Sequence, residues 1–118
     1  MAYDEKTAER IRRILSREDG VTERRMMGGL IFMVRGSMCC GISDRGLMVR
    51  VGADHHAAAC KEPHVRPMEI GGGRKPKGFV RVGPEGFASD AALKGWVTRG
   101  VAFVKTLPVK TKVAGRVR

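Results

Sequence analysis

Apolar and polar positions change period along this chain, and the change marks its elements. From Met26 to Val51, short apolar runs are cut by Gly28-Gly29, Arg35-Gly36-Ser37 and Ser43-Asp44-Arg45-Gly46. Apolar runs bounded by glycine-containing turns are the pattern of antiparallel strands joined by hairpins. They predict strands over residues 30–34, 38–42 and 47–51, and the rest of the chain is expected to pack on this centre. In the last run Leu47, Val49 and Val51 alternate with Met48 and Arg50, so one face should be buried and one wet. Residues 30–34 are apolar on both faces, which predicts the central strand. Gly46 supplies the positive φ that a tight turn after Asp44-Arg45 needs. Upstream, Val21, Glu23 and Arg25 alternate with Thr22, Arg24 and Met26, which predicts a first strand over 21–27.

Helical spacing appears at both ends. Ala8, Ile11, Ile14 and Leu15 share one face. Asp4 is placed to cap that helix with Glu5 in its first turn, Glu9 and Arg13 form an i,i+4 pair, and Asp19-Gly20 ends it. A short helix should begin at Asp54, run through Ala57, Ala58 and Ala59, and stop before Pro63. The clearest helix starts at Ser89-Asp90, carries Leu93, Trp96, Val97, Gly100, Val101 and Val104 on one face, and ends before Pro108. Between the last two helices, residues 67–70 and 78–82 should pair as a hairpin extending the sheet, around a polar loop over 71–78 expected to be mobile. The prediction is an α+β domain in two layers. An antiparallel β-meander sheet carries an N-terminal helix, a short middle helix and a C-terminal helix. One domain spans residues 1–108, followed by a flexible basic tail over 109–118.

Composition changes this picture in three respects. The 118 residues suffice for one core without disulfides, and with aromatics at only 5% that core rests on Val, Ile, Leu and seven Met. Methionine fills irregular gaps and also serves adaptable interfaces; core is the plainer use here. Three cysteines, two adjacent at Cys39-Cys40, make no disulfide framework. On a regular strand those neighbours point to opposite faces, so they are expected as small buried hydrophobes in a reducing cytoplasm. The net charge of +11 is unevenly placed: no acid follows Asp90, and the last ten residues carry Lys110, Lys112, Arg116 and Arg118. Such a tail attracts nucleic acid by counterion release or merely keeps the chain solvated. Neither a signal-peptide pattern nor a membrane-length apolar segment is present.

Candidate chemistry is sparse. His56, Cys60 and His64 follow a spacing that could give three zinc ligands, but a structural site needs a fourth, so metal is a weak candidate beside surface histidines and a buried thiol. Cys39 or Cys40 with His64 could be imagined as a nucleophile and base, yet no elbow or Cys-His signature supports it. No dinucleotide fingerprint, phosphate loop or kinase motif occurs. No catalytic residue and no cofactor is therefore expected. Arg74, Lys75 and Lys77, with Lys110, Lys112, Arg116 and Arg118, could form a patch binding nucleic-acid backbone without sequence readout.

The segments Val21-Thr22-Glu23-Arg24-Arg25-Met26-Met27-Gly28-Gly29-Leu30-Ile31-Phe32-Met33-Val34, Gly36-Ser37-Met38-Cys39-Cys40-Gly41, Leu47-Met48-Val49-Arg50-Val51-Gly52, His64-Val65-Arg66-Pro67-Met68 and Lys77-Gly78-Phe79-Val80 resemble the TfoX/Sxy N-terminal domain family of bacterial proteins. The likeness runs over nearly the whole chain up to Pro108, and the Arg-Met-Met-Gly-Gly-Leu-Ile-Phe block is its most specific part. It implies an α+β domain with helices packed on an antiparallel sheet. Longer members resemble regulators of competence development with a second, helical C-terminal domain. Here only the basic tail follows Pro108, which implies a stand-alone N-terminal domain. The resemblance supplies no catalytic residues. The expectation is a non-enzymatic cytoplasmic domain acting in regulation by binding a protein partner or, as a homodimer, itself. The alternative is weak, sequence-independent nucleic-acid binding, and no membrane partner is expected.

Overall fold

The computed structural model describes residues 3–26, 28–69 and 73–108. The glycines at 71 and 72 and the basic residues Lys110, Lys112, Arg116 and Arg118 lie outside them. Helix α1 (Glu5–Ile14) leads through a 3-10 turn into strands β1 (Val21–Met26), β2 (Gly29–Val34), β3 (Ser37–Ser43) and β4 (Gly46–Arg50). Helix α2 (Ala53–Ala59) follows, then β5 (Val65–Pro67), β6 (Phe79–Val82) and helix α3 (Asp90–Val104). The chain is α+β, with one six-stranded antiparallel sheet and three α-helices among the described residues, as the apolar pattern predicts.

The strand order is β1-β2-β3-β4-β6-β5, so the first four strands form a meander and the last two are exchanged in position. A hairpin follows α2 as expected, but its first strand is Val65–Pro67 and not 67–70, with Val65 opposite Val82 and Pro67 opposite Val80. Its strands sit as their residues require. Pro67 has no N–H to give a second neighbour and belongs on an edge, whereas Val80, Arg81 and Val82 are all buried and take the interior place beside β4. The central strands are therefore β3 and β4. Residues 30–34, expected at the centre, lie one strand from the β1 edge. The expected wet face of β4 is also corrected. Met48 is 2% exposed because Met68, just beyond β5, packs with it on that side.

The sheet buries one face under the helices. Leu30, Phe32, Val34, Ile42, Leu47, Val49, Val80 and Val82 point toward Ala8, Ile11 and Leu15 of the N-terminal helical segment and toward α3. Every residue of the predicted α3 face is buried: Leu93, Trp96, Val97, Gly100, Val101 and Val104. Asp4 caps α1, accepting from the Lys6 amide at 3.3 Å and the Thr7 hydroxyl at 2.7 Å. Ser89 caps α3, accepting from the Ala92 amide at 3.1 Å. The pairing on α1 differs from expectation. Glu9 accepts from Arg12 at 2.9 Å, and Arg12 reaches across to Glu23 on β1 at 2.6 Å and 3.0 Å. A guanidinium between two carboxylates holds α1 to the edge strand as well as to its own turn.

Cys39 and Cys40 do not take opposite faces. Phe32 pairs with Cys40 and Met33 with Met38, so Cys39 is the extra residue of a β-bulge. The bulge breaks the alternation, and both thiols enter the helix-side core with no exposed surface. Helix α3 comes so close there that a Cβ on Gly100 would stand 2.8 Å from the Cys39 carbonyl oxygen and 3.0 Å from its sulfur. The glycine and the bulge are one packing solution: the strand swells toward the helix where the helix has no side chain.

Candidate functional site: the open face of the sheet

The opposite face carries no helix among the described residues. Its apolar cluster is built from strands and the segment after β5: Ile31, Met48 and Met68 are buried, and Met26, Met33, Met38 and Phe79 are partly exposed around them. The period of two places them there, since Ile31, Met33, Met48 and Phe79 are the strand positions out of phase with the helix-side core. Gly41 lets the patch lie flat, because a Cβ there would be 2.6 Å from the Ile31 Cδ1. At one end Arg50 donates to the Met38 carbonyl at 3.4 Å and stands 5.3 Å from the Phe79 ring centre and 5.4 Å from that of Phe103. Five adaptable methionines, three of them partly exposed, form a surface that moulds to a partner more readily than a branched aliphatic one.

Basic residues bound this patch. Arg24 stands beside Ile31 across β1 and β2 and is exposed. At the other side a cleft of about 240 Å³ is lined by Arg45, Arg66, Lys75 and Arg81, with Pro67 and Glu69. Arg81 is 8% exposed, and burial together with the positive charges of Arg66 and Arg45 pushes its pKa down. Of the basic loop residues singled out in the sequence, Arg74, Lys75 and Lys77 are all exposed, but only Lys75 lines the cleft. Arg45, Arg66 and Arg81 were not singled out. Their signal was present in the strand alternation: Arg81 stands between buried Val80 and Val82, on the same face as Met48.

The histidine–cysteine set is divided. The His56 Nε2 lies 3.8 Å from the Cys60 sulfur and 3.2 Å from the Phe79 carbonyl oxygen. His64, held at a φ of 67°, instead has its Nδ1 3.9 Å from Glu85. Among the described residues no three His, Cys, Asp or Glu side chains group as metal ligands would. Burial pushes the Cys60 thiol up. The Cys40 thiol is pushed well up by its hydrogen bond to Cys39 and by burial, so it stays protonated. A larger cavity of about 480 Å³ between α2 and α3 is lined mainly by apolar side chains such as Val51, Ala59 and Phe103. Its two charged residues, Glu62 and Arg99, neutralise each other through bonds of 2.8 Å and 3.1 Å. It has no convergent set of free polar groups with which to orient a ligand.

A family model described as the TfoX N-terminal domain matches residues 13–104. No curated protein and no solved structure matches the chain. The chain belongs to the TfoX N-terminal domain family.

Proposed function

From that membership we propose that this chain is a competence-regulator-like, non-enzymatic domain that works in the cytoplasm by holding another protein against the open face of its sheet. The observation that carries the reading is the methionine patch. Met26, Met33, Met38 and Phe79 are partly exposed on a face no helix among the described residues covers. Contiguous exposed apolar surface rimmed by polar groups is characteristic of interaction sites. The rim here is positive, through Arg24, Arg66 and Lys75. The partner that fits is a protein segment with an apolar centre and acidic flanks. A second copy would bring the same cations and is the weaker fit on this face. No helix among the described residues is long and apolar enough to cross a membrane.

Site-specific photocrosslinking in cells tests this. A photoreactive residue at Met33 or Met38 should trap one discrete protein, and the same residue at exposed Lys94 should not. The trapped protein, once purified, should bind the full chain, and Met38→Lys should abolish that binding without unfolding the domain. A product of twice the chain mass would identify a homodimer instead. No protein adduct at either methionine would remove the proposal. A second reading, backbone binding to nucleic acid, rests on the exposed Arg74, Lys75 and Lys77. It requires an affinity for DNA that falls steeply with salt, and a flat salt response removes it.

A further inference from the structure

We propose that the cleft between the β3–β4 turn and the edge hairpin β5–β6 binds a dianionic phosphate group, either inorganic phosphate or the terminal phosphate of a small phosphomonoester. The inference stands apart from the partner reading above, since it concerns charged side chains beside the methionine patch and not the patch itself. Arg81 forms the floor. The residue is 8% exposed, and its one side-chain hydrogen bond among the described residues goes to the Ser43 hydroxyl at 3.2 Å. A guanidinium has five donors in a fixed fork, so most of its donor capacity is unspent. Arg66 is the residue directly opposite Arg81 across the two strands. Like charges in that position repel. Arg66 is drawn over the turn by donating to the Arg45 carbonyl at 3.4 Å, and Arg45 and Lys75 complete the lining.

Among the described residues these charges are only partly balanced: Asp44 in the turn acts on Arg81 without forming an ion pair. Arg10, Arg12, Arg99 and Lys105 each have a carboxylate within 3.3 Å, but among the described residues no carboxylate lies within ion-pair distance of Arg45, Arg66, Lys75 or Arg81. Glu69 lines the cleft without pairing to any of them. The Ser43 oxygen accepts from both Arg81 and the Arg45 amide at 3.1 Å, which leaves its proton to donate. Three arginines and a lysine line about 240 Å³, enough for a phosphate and a small organic remainder, and the Ser43 hydroxyl stands behind them as the Arg81 partner. A terminal phosphate carries close to two negative charges at neutral pH and presents three oxygens to such donors. An in-chain phosphodiester carries one charge and is flanked on both sides, which suits a deep arginine less well.

Calorimetric titration of the full chain at fixed ionic strength tests the assignment, with inorganic phosphate and glycerol phosphate as probes and chloride as the reference. Both phosphates should bind saturably. Arg66→Gln should weaken them about tenfold, the size expected for losing one charge-assisted hydrogen bond. Lys75→Gln should weaken them severalfold, Glu69→Gln should tighten them, and Lys94→Gln should change nothing. Both Arg66 and Lys75 are exposed, so these variants keep the fold where Arg81→Met could lose it. Absence of saturable phosphate binding, or unchanged affinity in Arg66→Gln, overturns the proposal. So does a short oligonucleotide that binds this cleft equally well with and without a 5′-phosphate, since that would assign it to backbone phosphodiesters.

Discussion

Gly95 and Gly100 sit in the same helix, both in its interior, and the same substitution should move stability in opposite directions. A Cβ on Gly95 meets nothing within 4 Å. Gly95→Ala should therefore return the ordinary helix-propensity difference, about 1 kcal/mol of added stability. At Gly100 the same gain is offset by contact with Cys39, whose carbonyl oxygen would be 2.8 Å and whose sulfur 3.0 Å from the new carbon. The oxygen is backbone, held between Met38 and Cys40, which both pair with β2, and cannot swing away as a side chain could. Overpacking of this kind costs about 1–3 kcal/mol, so Gly100→Ala should lose about 1 kcal/mol net. For a domain of this size each kcal/mol moves the midpoint by roughly 4 °C, which puts the two variants about 8 °C apart. Urea unfolding followed by the fluorescence of Trp96 reads the difference. The indole is 7% exposed, donates to the Gly86 carbonyl at 3.2 Å and lies 4.2 Å beneath the Arg99 guanidinium, so unfolding changes its surroundings completely. Cys39→Ala in the Gly100→Ala background should recover only part of the loss, because it removes the sulfur and leaves the oxygen. A Gly100→Ala protein as stable as the Gly95→Ala one would refute the close approach of helix and bulge.

Three further outcomes follow from the same coordinates. Hydrogen bonds from Arg12 hold the Glu23 carboxyl below its ordinary value of 4.5. Its stabilising contribution is thus complete above that pH and is lost as pH falls through the lower folded-state value. Glu23→Gln should flatten the acid limb of a stability–pH curve while costing less than about 1 kcal/mol at neutral pH, since the pair is partly solvated. Thiol labelling of the native protein should modify Cys60 slowly and leave Cys39 and Cys40 untouched, with all three reacting in urea, because the adjacent pair is fully buried. Ser89→Ala should cost about 1 kcal/mol by leaving the Ala92 amide without its partner at the start of α3.

What the sequence disclosed was local. The α3 face from Leu93 to Val104 is written in spacings of three and four that no other element can satisfy, and it is buried at each predicted position. The glycine turns fixed the hairpins, and Gly46 takes the positive φ, 117°, that its place requires. What stayed hidden depends on residues far apart in the chain. The bulge at Cys39 has no signature in its own strand; it becomes sensible only when Gly100 is set against it. The exchange of β5 and β6 turns on Pro67, which the sequence reading took as the start of a strand and not as a reason for an edge. Loop composition pointed to Arg74, Lys75 and Lys77, while the cleft draws Arg45, Arg66 and Arg81 from a turn and two strands. Basic residues stand out when consecutive, and a site assembled across neighbouring strands separates them in sequence.

The distribution of charge joins these observations. The ion pairs of this chain tie helices to their surroundings: Arg10 of α1 to Asp90, Arg12 to Glu23, Glu62 to Arg99 and Glu18 to Lys105. The carboxylates are thereby used where helices meet one another, the edge strand or a loop, and on the open side only Glu69 lines the basic cleft. An excess of eleven positive charges is therefore not a uniform coat. Part of it is focused beside a methionine surface, where burial and the neighbouring charges of Arg66 and Arg45 depress the Arg81 pKa against the opposing charge of Asp44. Adding an acid there, such as Pro67→Glu, would stabilise the arginines and spoil the same place for an outside anion. On the proposed function, a partner that covers this face would bring apolar area to the methionines and negative charge to the arginines beside them.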